Sequence, residues 1–411
     1  MKNNKNYESF NNLNKISTCE VCGNNELDTV LDLGVHPMCD DLVKVGEDRV
    51  CNEYPIEILF CKKCSTAHQH YQVPKKELFP KSYHYRARFT SDVLNGMKDL
   101  VNSCENKCGN LETKMVLDIG CNDGSLLDFF KKKGSLTYGI EPTGAFSDAK
   151  AKGHKVYNDY LSLETCEKII NDFRKPDIIT FTNVFAHIED LKGVINCLKL
   201  LMSSNTLLII ENHYLGSVLD ANQFDTFYHE HPRTYSYKSF IEISKSLGRN
   251  LLKVQFPKRY GGNIRVFIGS GSKDDFDLNL IKKEDSFYDK FKLMNSNISK
   301  WKINKLSLLK NINNKHGKIA AKAFPGRSAI LIKLLKIDEN LISKVYEKPG
   351  SMKIGYYVPG TRIPIVSDDK IDDLESPILN LAWHISTEIK NYMRSISFSG
   401  KIVDILSEND F

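Results

Sequence analysis

The chain has 411 residues, of which 41% are hydrophobic and 26% are charged. At about 150 residues per domain this length predicts two or three domains, and the composition is that of an ordinary globular protein. No stretch approaches the roughly 18 consecutive apolar residues of a membrane span, and the polar, Asn-rich start of the chain lacks the apolar core of a secretory signal. We therefore expect a cytoplasmic protein with no membrane partner.

The net charge is only +6, from 57 Lys and Arg against 51 Asp and Glu, and it is spread along the chain. Nucleic-acid-binding proteins generally concentrate basic residues on one face or in one arm, so the distribution does not predict a nucleic-acid partner. A mild basic excess suits an anionic small molecule equally well. No interface pattern stands out, and a monomer is compatible with the sequence.

The first 75 residues contain little apolar periodicity. Residues 1–15 are polar and are expected to be a disordered tail. Residues 16–75 are rich in Cys, Pro, Gly and charged residues, with only short strand-like pieces. Such a segment cannot build an ordinary core, so we expect a small domain at residues 16–75 that is held together by something else.

Two CxxC pairs in this segment could hold the small domain together: Cys19 with Cys22, and Cys61 with Cys64. Four thiolates from two tight turns are the ligand set of a closed tetrahedral zinc site. A redox-active CxxC would open a helix in a βαβ unit, and neither pair does so; two unrelated pairs of buried cysteines are the other alternative. We predict a structural zinc ion, which stabilises folding and leaves no open position for catalysis.

After the cysteine-rich segment, a polar connector containing YHYRARFT leads into an amphipathic helix. From Lys114 onwards, short apolar strands alternate with helices, which predicts a parallel sheet in βαβ units. We place this Rossmann-like domain at residues 76–245. A strand pair, one long helix over residues 276–314 and a further run of alternating strands and helices follow. These are assigned to a smaller C-terminal Rossmann-like α/β domain at residues 246–411.

A glycine-rich turn joins the first strand of the central domain to the next helix, in VLDIGCNDGSLLDFF. Gly120 and Gly124 allow the backbone to approach a ligand closely. The pattern GxxxG differs from the GxGxxG of the dinucleotide fold. Asp118 and Asp123 place negative charge where a pyrophosphate would otherwise lie, on either side of Asn122, so a cationic ligand such as a sulfonium is favoured.

Two later positions complete this pattern. Glu141 ends the second strand, where a carboxylate can accept both hydroxyls of a ribose. Asn158 and Asp159 follow the third strand, at a depth suited to the edge of an adenine ring. A glycine turn in an unrelated α/β protein is the alternative, but the combination predicts an S-adenosylmethionine site of the class I methyltransferase type. The predicted cofactor residues are Asp118, Gly120, Asn122, Gly124, Glu141, Asn158 and Asp159.

A polar cluster follows the strand expected to lie beside the cofactor. Asn183 and His187, in FTNVFAHIED, are four residues apart and would share one face of a helical turn. They come at the carboxyl edge of the sheet, where open α/β sheets bind their ligands. Taken alone, His187 would more often be an ordinary core or surface histidine.

The richest cluster is the run Tyr228, His229, Glu230 and His231, before Pro232. In an extended segment His229 and His231 would face one way, and Tyr228 and Glu230 the other. A metal site with Glu211 is one interpretation. An imidazole base beside a carboxylate and a phenol is the favoured one, because histidine titrates in the range needed to remove a proton before methylation of a carbon. The tyrosine or asparagine could then hold an enolate oxygen.

These motifs together resemble the three-domain sugar C-methyltransferases that act on nucleotide-linked deoxy-ketosugars in antibiotic and surface-polysaccharide pathways. The resemblance spans nearly the whole chain: CEVCGN, CKKC, LG-x-x-P, the tyrosine-rich connector, VLDIGCNDGSLL, GIEPTG, NVFAHI, YHEH, GGNIRVFIG, PG-x-x-IPI and LAWHISTEI. It implies a zinc-binding N-terminal domain, a class I methyltransferase domain that binds S-adenosylmethionine, and a C-terminal Rossmann-like domain against which the nucleotide of the substrate lies.

The resemblance also implies roles for single residues. His231 would remove a ring proton next to a ketone, and the resulting enediolate would attack the methyl group of S-adenosylmethionine. Tyr228, Glu230, His187 and Asn183 would line the same pocket. The chain departs from the family in HGKIAAKAFPGRSAIL, which lacks the glycine-rich turn usual after the first C-terminal strand, and YHYRARFT is a variation on a Ser-rich connector.

The sequence thus predicts a methyltransferase that acts on a carbon of a nucleotide-diphosphate sugar. Two alternatives stay open. One is O-methylation of the same class of substrate, in which His231 would deprotonate a hydroxyl. The other is a non-catalytic protein in which the α/β domain binds a nucleoside and the zinc domain docks a partner or RNA.

Overall fold

The computed structural model describes residues 13–79, 86–89, 91–271 and 277–411, apart from the side chains at positions 89 and 260. Most of the predicted tail (1–15) and half of the connector YHYRARFT therefore lie outside the described residues. The end of the tail is described and is not disordered, because Asn14–Lys15 pair with Tyr71–Gln72 as a short antiparallel ribbon. Within these ranges, no helix is both long enough and apolar enough to cross a membrane.

The N-terminal domain is a small antiparallel sheet that carries the two CxxC turns. Its elements are β1 (Asn14–Lys15), β2 (Asp28–Pro37), β3 (Val43–Lys44), β4 (Glu53–Cys61), β5 (Thr66–Gln69), β6 (Tyr71–Gln72) and the short helix α1 (Lys75–Leu78). Strand β4 lies between β2 and β5, and the second CxxC turn connects β4 to β5.

The central domain alternates helices and strands, as the sequence predicts. Three of its described helices begin at side-chain caps, where Ser162, Asp190 and Ser236 accept hydrogen bonds from the amides of Thr165, Gly193 and Ser239. Its elements are α2 (Ser91–Cys108), β7 (Met115–Ile119), α3 (Ser125–Lys131), β8 (Leu136–Ile140), α4 (Phe146–Ala151), β9 (Lys155–Tyr157), α5 (Leu163–Asp172), β10 (Ile178–Thr182), α6 (Leu191–Leu201), β11 (Leu207–His213), α7 (Leu215–Asp220), β12 (Arg233–Thr234), α8 (Tyr237–Ser246), β13 (Asn250–Gln255) and β14 (Asn263–Gly269).

Seven of these strands form one sheet, in the order β13-β14-β11-β10-β7-β8-β9. All neighbours are parallel except β14, which is antiparallel to both β11 and β13. This order, with one antiparallel hairpin at the edge, is the class I methyltransferase arrangement, so the predicted fold of the central domain is confirmed. The strand order reverses between β7 and β10, and open α/β sheets bind their ligands outside the carboxyl ends at such a point.

The hairpin of β13 and β14 extends this sheet beyond the domain boundary predicted between residues 245 and 246. The segments LLKVQFP and NIRVFIGS do form two paired strands, as their composition indicates. Their local pattern contains no information about which sheet they join. Every residue of β14 is buried, because β11 and β13 flank it on both sides.

The C-terminal domain contains a five-stranded, wholly parallel sheet in the order β18-β16-β15-β19-β20, which confirms the second Rossmann-like unit. Its elements are α9 (Leu278–Glu284), α10 (Phe287–His316), β15 (Ile319–Lys322), α11 (Ser328–Leu334), β16 (Ile342–Glu347), β17 (Tyr356–Tyr357), β18 (Ile365–Ser367), β19 (Ile378–Asn380), α12 (Ser386–Ser395) and β20 (Ile402–Asp404).

The single helix predicted over residues 276–314 is wrong, because α9 and α10 are separate. Residue 276 lies outside the described part of the chain. The interruption follows Glu284, whose buried carboxylate accepts hydrogen bonds from the amides of Tyr237 and Lys238. This tertiary contact is invisible in the helical spacing of the apolar residues.

Strands that cross between domains tie the N-terminal sheet to the rest of the molecule. Strand β12 pairs with β5, and β17 of the C-terminal domain pairs with β3. Arg233, in β12, is fully buried and forms an ion pair with Glu20 beside the first CxxC turn. Burial alone would raise the pKa of Glu20, but the imidazole of His68, 3.6 Å away, and the charge of Arg233 lower it to about 2.

Candidate active site

A cavity of about 1330 Å³ lies between the three domains. The central domain contributes the carboxyl ends of β7, β8, β10 and β11, which is where the fold predicts a ligand. The C-terminal domain contributes the loop after β15, and Cys39 and Phe79 come from the N-terminal region. Of the predicted site residues, those that line the cavity are Asp118, Gly120, Asn122, Glu141, Asp159, Asn183, His187, Tyr228, Glu230 and His231.

The glycine-rich loop closes the end of β7 tightly. Gly120 has a φ of +70°, and a Cβ built there would lie 2.7 Å from a methyl carbon of Val184, so this position requires glycine. Asp118 is buried and accepts a hydrogen bond from Thr180 Oγ1 at 2.7 Å. Burial raises the pKa of Asp118 to about 7, which is the environment in which a neighbouring cation is most strongly attracted.

Glu141 is the carboxylate that the sequence places opposite a ribose. One of its oxygens accepts the amide of Asn122 at 2.9 Å, and the other accepts the amide and hydroxyl of Thr143. The side chain therefore holds the glycine-rich loop in place and is held by it. A carboxylate has about four lone-pair positions, so these bonds leave capacity for a ligand hydroxyl.

Two predicted cofactor residues do not line the cavity. Gly124 has a φ of +75° and precedes α3, packed against His154 and Ala149. Asn158 points its amide at the carbonyls of Glu141 and Thr143, so it supports the ribose-side loop from behind. Sequence spacing places both residues near the site, but only the fold shows which side of the loop they occupy.

The connector before α2 covers the glycine-rich loop. The amide of Ala87 donates to Asn122 Oδ1, and the amide of Arg88 donates to Asp123 Oδ2, both at 3.0 Å. Asp123 also accepts the hydroxyl of Ser125 and does not line the cavity. The expectation that Asp123 faces a cation is therefore wrong, because its carboxylate holds the loop together.

The run YHEH forms a turn, and the predicted extended segment is wrong. The amide of His231 donates to the carbonyl of Tyr228 at 2.9 Å, so side chains do not alternate along the run. His229 turns away from the cavity and bonds the carbonyl of Tyr54 through Nε2 at 3.0 Å. Tyr228 packs against the ring of His231, with ring centroids 4.2 Å apart. His231, Tyr228 and Glu230 thus share one side.

His231 has a defined tautomer. Its Nδ1 lies 2.9 Å from the carbonyl oxygen of Thr226. Because a carbonyl only accepts hydrogen bonds, Nδ1 carries the proton in the neutral ring and Nε2 carries the lone pair. Burial, with smaller contributions from His187 and His213, lowers the pKa of His231 well below the usual value. The imidazole is therefore neutral near pH 7, which is the form a base requires.

Two more imidazoles surround His231. The centroid of the His187 ring is 4.8 Å away and that of His213 is 5.5 Å away. Nδ1 of His187 donates to the carbonyl of Glu230 at 2.7 Å. Burial lowers the pKa of His187 to about 4 and that of His213 to about 3.

Neither His213 nor His384 was among the residues predicted from the sequence. Both line the cavity. The only available signals were the polar end of a buried strand in ENHY and the histidine in LAWHIS. Neither signal indicates that the side chain reaches the cavity.

Asn183 adopts a left-handed conformation, with a φ of 54°. Its amide donates to the carbonyl of Glu211 at 2.7 Å, and its Oδ1 lies 3.3 Å from Asn263 Nδ2. Asparagine tolerates this region better than most residues. A 3-10 turn at Phe185–His187 follows Asn183, and the side chains of Asn183 and His187 both line the cavity, as predicted.

Glu211 is not a metal ligand in this arrangement. Its two oxygens accept Arg259 Nε at 2.7 Å and Arg265 Nε at 2.6 Å, and the side chain is fully buried. The pair of arginines neutralises the carboxylate and ties it to the strand hairpin and α2. With Glu211 so engaged and His229 facing Tyr54, the alternative of a histidine metal site has no ligand set.

The two CxxC turns bring their thiols together. Cys19 Sγ lies 3.4 Å from Cys64 Sγ, and Cys22 Sγ lies 3.6 Å from Cys61 Sγ. All four sulfur atoms lie within 4.8 Å of one another, and among the residues described this is the one such group of three or more candidate ligands. Four thiolates at this spacing fit one tetrahedral zinc ion with Zn–S bonds of about 2.3 Å, so the predicted ligands are Cys19, Cys22, Cys61 and Cys64.

Comparison with known protein families gives three matches in order along the chain. Residues 19–79 match a family described as "Putative zinc binding domain", residues 88–254 match "Methyltransferase domain", and residues 258–405 match "C-methyltransferase C-terminal domain". The first match contains the four clustered thiols, and the second contains the glycine-rich loop and the histidines of the cavity.

Individual relatives are more distant. The C-methyltransferase NovU of Streptomyces niveus is 27% identical over 63% of this chain and 62% of its own length. A ubiquinone biosynthesis O-methyltransferase of Coxiella burnetii is 26% identical over 33% of this chain and 60% of its own length. The chain thus covers less than two thirds of each of these curated relatives.

Among solved structures, magnesium protoporphyrin IX methyltransferase (ChlM) from Synechocystis PCC 6803 with bound SAH aligns with 44% of this chain and 84% of its own. The sequence identity is 16% and the TM-score is 0.35. So partial an overlap carries no conclusion about the site.

Proposed function

We propose that this chain, as a member of the three-domain C-methyltransferase family with an N-terminal zinc-binding domain, transfers the methyl group of S-adenosylmethionine to a carbon next to a ketone in a nucleotide-linked deoxysugar. The observation that carries the proposal is the state of His231. It is buried, neutral and fixed with its lone pair on Nε2, in a cavity that also contains the glycine-rich loop and Glu141.

The residues around the loop fit the cofactor. Asp118 and Glu141 present carboxylates on the cavity wall, and Gly120 lets a ligand approach the backbone. When bound there, S-adenosylmethionine supplies an electrophilic methyl group whose sulfonium charge the buried Asp118 would favour. This pairing of an acidic wall with a cationic donor excludes an anionic pyrophosphate from the same position.

The protein's own part in the reaction is to move a proton and hold the resulting charge. Nε2 of His231 takes the proton from the carbon beside the ketone, and the electrons of that C–H bond pass into the enolate. A hydrogen-bond donor must then stabilise the oxygen anion, and we assign this role to Tyr228 or Asn183, which both line the cavity. The carbon that loses its proton is the nucleophile, and His231 afterwards releases the proton to solvent.

The proposed substrate class is supported by the cavity and by the family resemblance. The cavity continues from the histidines into the C-terminal domain, where Lys348 and Lys353 lie in its wall; Lys322 also lines it, but its ammonium is paired with Asp368. A diphosphate-linked sugar would place its charged part there and its ketone beside His231. Such a division also accounts for a volume larger than the cofactor alone would need.

The proposal is tested by changing His231 and measuring transfer of a labelled methyl group to a panel of dTDP-, UDP-, GDP- and CDP-linked ketosugars. We expect His231→Ala and His231→Asn to lower the rate by about a hundredfold or more, because general-base catalysis contributes roughly that much. Hydrolysis of the product distinguishes the acceptor atom, since a C-methyl group remains on the branched sugar and an O-methyl group does not produce one.

The matched control is His229→Asn, two residues away in the same motif but bonded to Tyr54 outside the cavity. Its rate should stay within about threefold of the natural protein. Near-normal turnover by His231→Ala would show that the base is another group. A methyl group found on oxygen would replace C-methylation by the O-methylation alternative.

A further inference from the structure

We infer that Arg327, in the loop after the first strand of the C-terminal domain, is a positioning residue that fixes the segment carrying His231. The contact passes through Asp225 and Thr226, so the C-terminal domain and the base are assembled as one unit. The inference rests on the proposed function, because it concerns the orientation of its base. It also gives a role to the altered turn AFPGR.

Arg327 of the C-terminal domain forms an ion pair with Asp225 of the central domain. Arg327 Nε donates to Asp225 Oδ2 at 2.8 Å, and Arg327 Nη2 donates to Asp225 Oδ1 at 2.6 Å. Asp225 is fully buried, and the Arg327 side chain is only 10% exposed. A two-pronged arginine–carboxylate pair fixes direction as well as distance, so the rotation of the turn at Asp225 is determined by the C-terminal domain.

The carboxylate of Asp225 also accepts a hydrogen bond from a second residue of the C-terminal domain. Trp383 Nε1 donates to Asp225 Oδ2 at 2.8 Å, and the guanidinium of Arg327 lies 5.4 Å from the centre of the Trp383 ring. Both groups belong to the C-terminal domain and come from the loops after β15 and β19, the two strands at which that sheet reverses order. Arg327 and Trp383, both of the C-terminal domain, thus donate three hydrogen bonds to the carboxylate of Asp225.

The next step connects the ion pair to the base. Arg327 Nη2 donates to the hydroxyl of Thr226 at 2.7 Å, and the carbonyl of the same residue accepts Nδ1–H of His231 at 2.9 Å. Thr226 is fully buried in a 3-10 turn. Its side chain is therefore held by the C-terminal domain while its backbone sets the tautomer and the ring orientation of His231.

The loop that delivers Arg327 is built for this contact. Ala323 has a φ of 58°, a conformation in which glycine is usual, and Gly326 packs against the Cβ of Cys39. Arg327 then precedes α11 with its side chain directed at the turn of Asp225. Residues 323–327 line the cavity as well.

Arg327 also acts on the charge of the site. The titratable groups around the His231 ring are His187, His213, Tyr228 and Glu230, together with Arg327 across the domain boundary. After burial and the two neighbouring imidazoles, the positive charge of Arg327 contributes to the lowered pKa of His231. A merely structural contact would have no such effect.

The experiment compares Arg327→Gln, Arg327→Lys and a control by steady-state kinetics across pH. Arg327→Gln should lower kcat by about tenfold to a hundredfold, as expected for a misplaced base, with KM for S-adenosylmethionine unchanged within about twofold. The acid limb of the kcat profile should move to higher pH, since the charge that disfavours protonation of His231 is gone. Arg327→Lys keeps the charge but not the two-pronged contact, so it should lower kcat without moving the acid limb.

The control is Arg362→Gln, another arginine that joins the C-terminal to the N-terminal domain, through the carbonyls of residues 47–49. It should leave kcat and the pH profile unchanged. The inference is overturned if Arg327→Gln keeps full kcat, if it loses kcat while the acid limb stays in place, or if Arg362→Gln loses as much.

Should Arg327→Gln not fold, Arg327→Lys decides alone: a normal kcat in that variant overturns the inference and a tenfold lower one at an unmoved acid limb, by the same estimate of misplacement, supports it. Failure here is distinguishable from failure of the proposed function. In the first case His231→Ala is inactive while the Arg327 variants are normal, and in the second case His231→Ala is itself active.

Discussion

The chemistry of the site depends on which way single side chains point. His229 and His231 have the same side chain and are separated by one residue, yet one bonds Tyr54 in the N-terminal domain and the other lies in the cavity. The sequence indicates a histidine base in this motif. It does not indicate the turn that separates the two rings, because that turn depends on the Thr226 carbonyl and on strand β12.

Gly120 offers a test of the cofactor loop. We expect Gly120→Ala to weaken binding of S-adenosylmethionine by about tenfold or more, because a Cβ at this position would press on Val184 at 2.7 Å and push the loop into the site. Isothermal titration with S-adenosylmethionine measures the change, and thermal unfolding measures the cost in stability, about 1–3 kcal/mol for a non-glycine residue in this conformation.

The control for that change is Gly248→Ala. Gly248 has a similar φ of +65°, but a Cβ there meets nothing within 4 Å, and the residue lies outside the cavity. It should lose stability through backbone strain alone and bind the cofactor normally. Equal affinities for the two variants would mean that the loop does not contact the ligand.

At the scale of elements, the two CxxC turns add to a hydrophobic core. Contrary to the expectation from the sequence, apolar residues of β2 and β4, among them Leu31, Ile56 and Phe60, are buried in the main core of the molecule. One pair of thiols belongs to the turn that connects β4 to β5, and the other pair belongs to the first CxxC turn. Arg233 of β12 forms an ion pair with Glu20, which lies between the two cysteines of the first turn. The zinc site therefore stabilises the N-terminal sheet and also the strand that follows the YHEH turn. Loss of the metal should be felt in the cavity even though the ion is not part of it.

We expect about one zinc ion per chain by mass spectrometry, as for other sites with four thiolates. Cys61→Ser, or treatment with a strong chelator, should lower the melting temperature by several degrees or more, since metal affinity contributes directly to folding. Cys108→Ser, at a half-buried cysteine of α2, is the control and should retain the metal. A freshly purified protein without zinc would contradict the assignment.

Element boundaries show where local pattern is insufficient. The strand and helix types of the two Rossmann-like units agree with their apolar periodicity, because burial on both faces of a parallel sheet leaves a strong local signal. The break between α9 and α10 leaves no such signal. It follows Glu284, whose buried carboxylate accepts hydrogen bonds from the amides of Tyr237 and Lys238, far away in the sequence.

For the molecule as a whole, burial of neutral histidines predicts a marked dependence of stability on pH. Burial lowers the pKa of His36, His187 and His229 to about 4, and that of His213 and His384 to about 3. Between those values and about 6.5 the unfolded chain binds protons that the folded chain does not, so the free energy of unfolding rises with pH across this window.

Each such histidine contributes up to about 1.4 kcal/mol per pH unit within the window. Asp118 works in the opposite direction, because its pKa is raised to about 7 and its folded form holds a proton that the unfolded form loses. The histidines outnumber it, so acidification from about pH 7 to pH 5 should destabilise the protein.

Urea unfolding at intervals across that range measures the slope. His229→Asn should reduce it by the share of one proton, and a midpoint constant between pH 7 and pH 5 would contradict the buried neutral state.

Properties that depend on residue type and local spacing can be predicted from the sequence. These are the four thiols of the zinc site, the glycine turn with Asp118 before it and Glu141 after it, and the alternation that makes two Rossmann-like sheets. Each leaves its signal within a few residues, because tight turns, buried strands and metal knuckles restrict the side chains that can occupy them.

Other properties depend on contacts between separate segments, and these are defined by the tertiary structure. It placed β13 and β14 in the central sheet, turned His229 and Asn158 away from the cavity, engaged Glu211 with two arginines, and brought Arg327 to Asp225 and Thr226 beneath His231. Some of these contacts join segments a hundred or more residues apart, as between Asp225 and Arg327 and between Tyr54 and His229. The energy of these contacts comes from packing and ion pairing between segments. The local sequence around either partner therefore does not predict them.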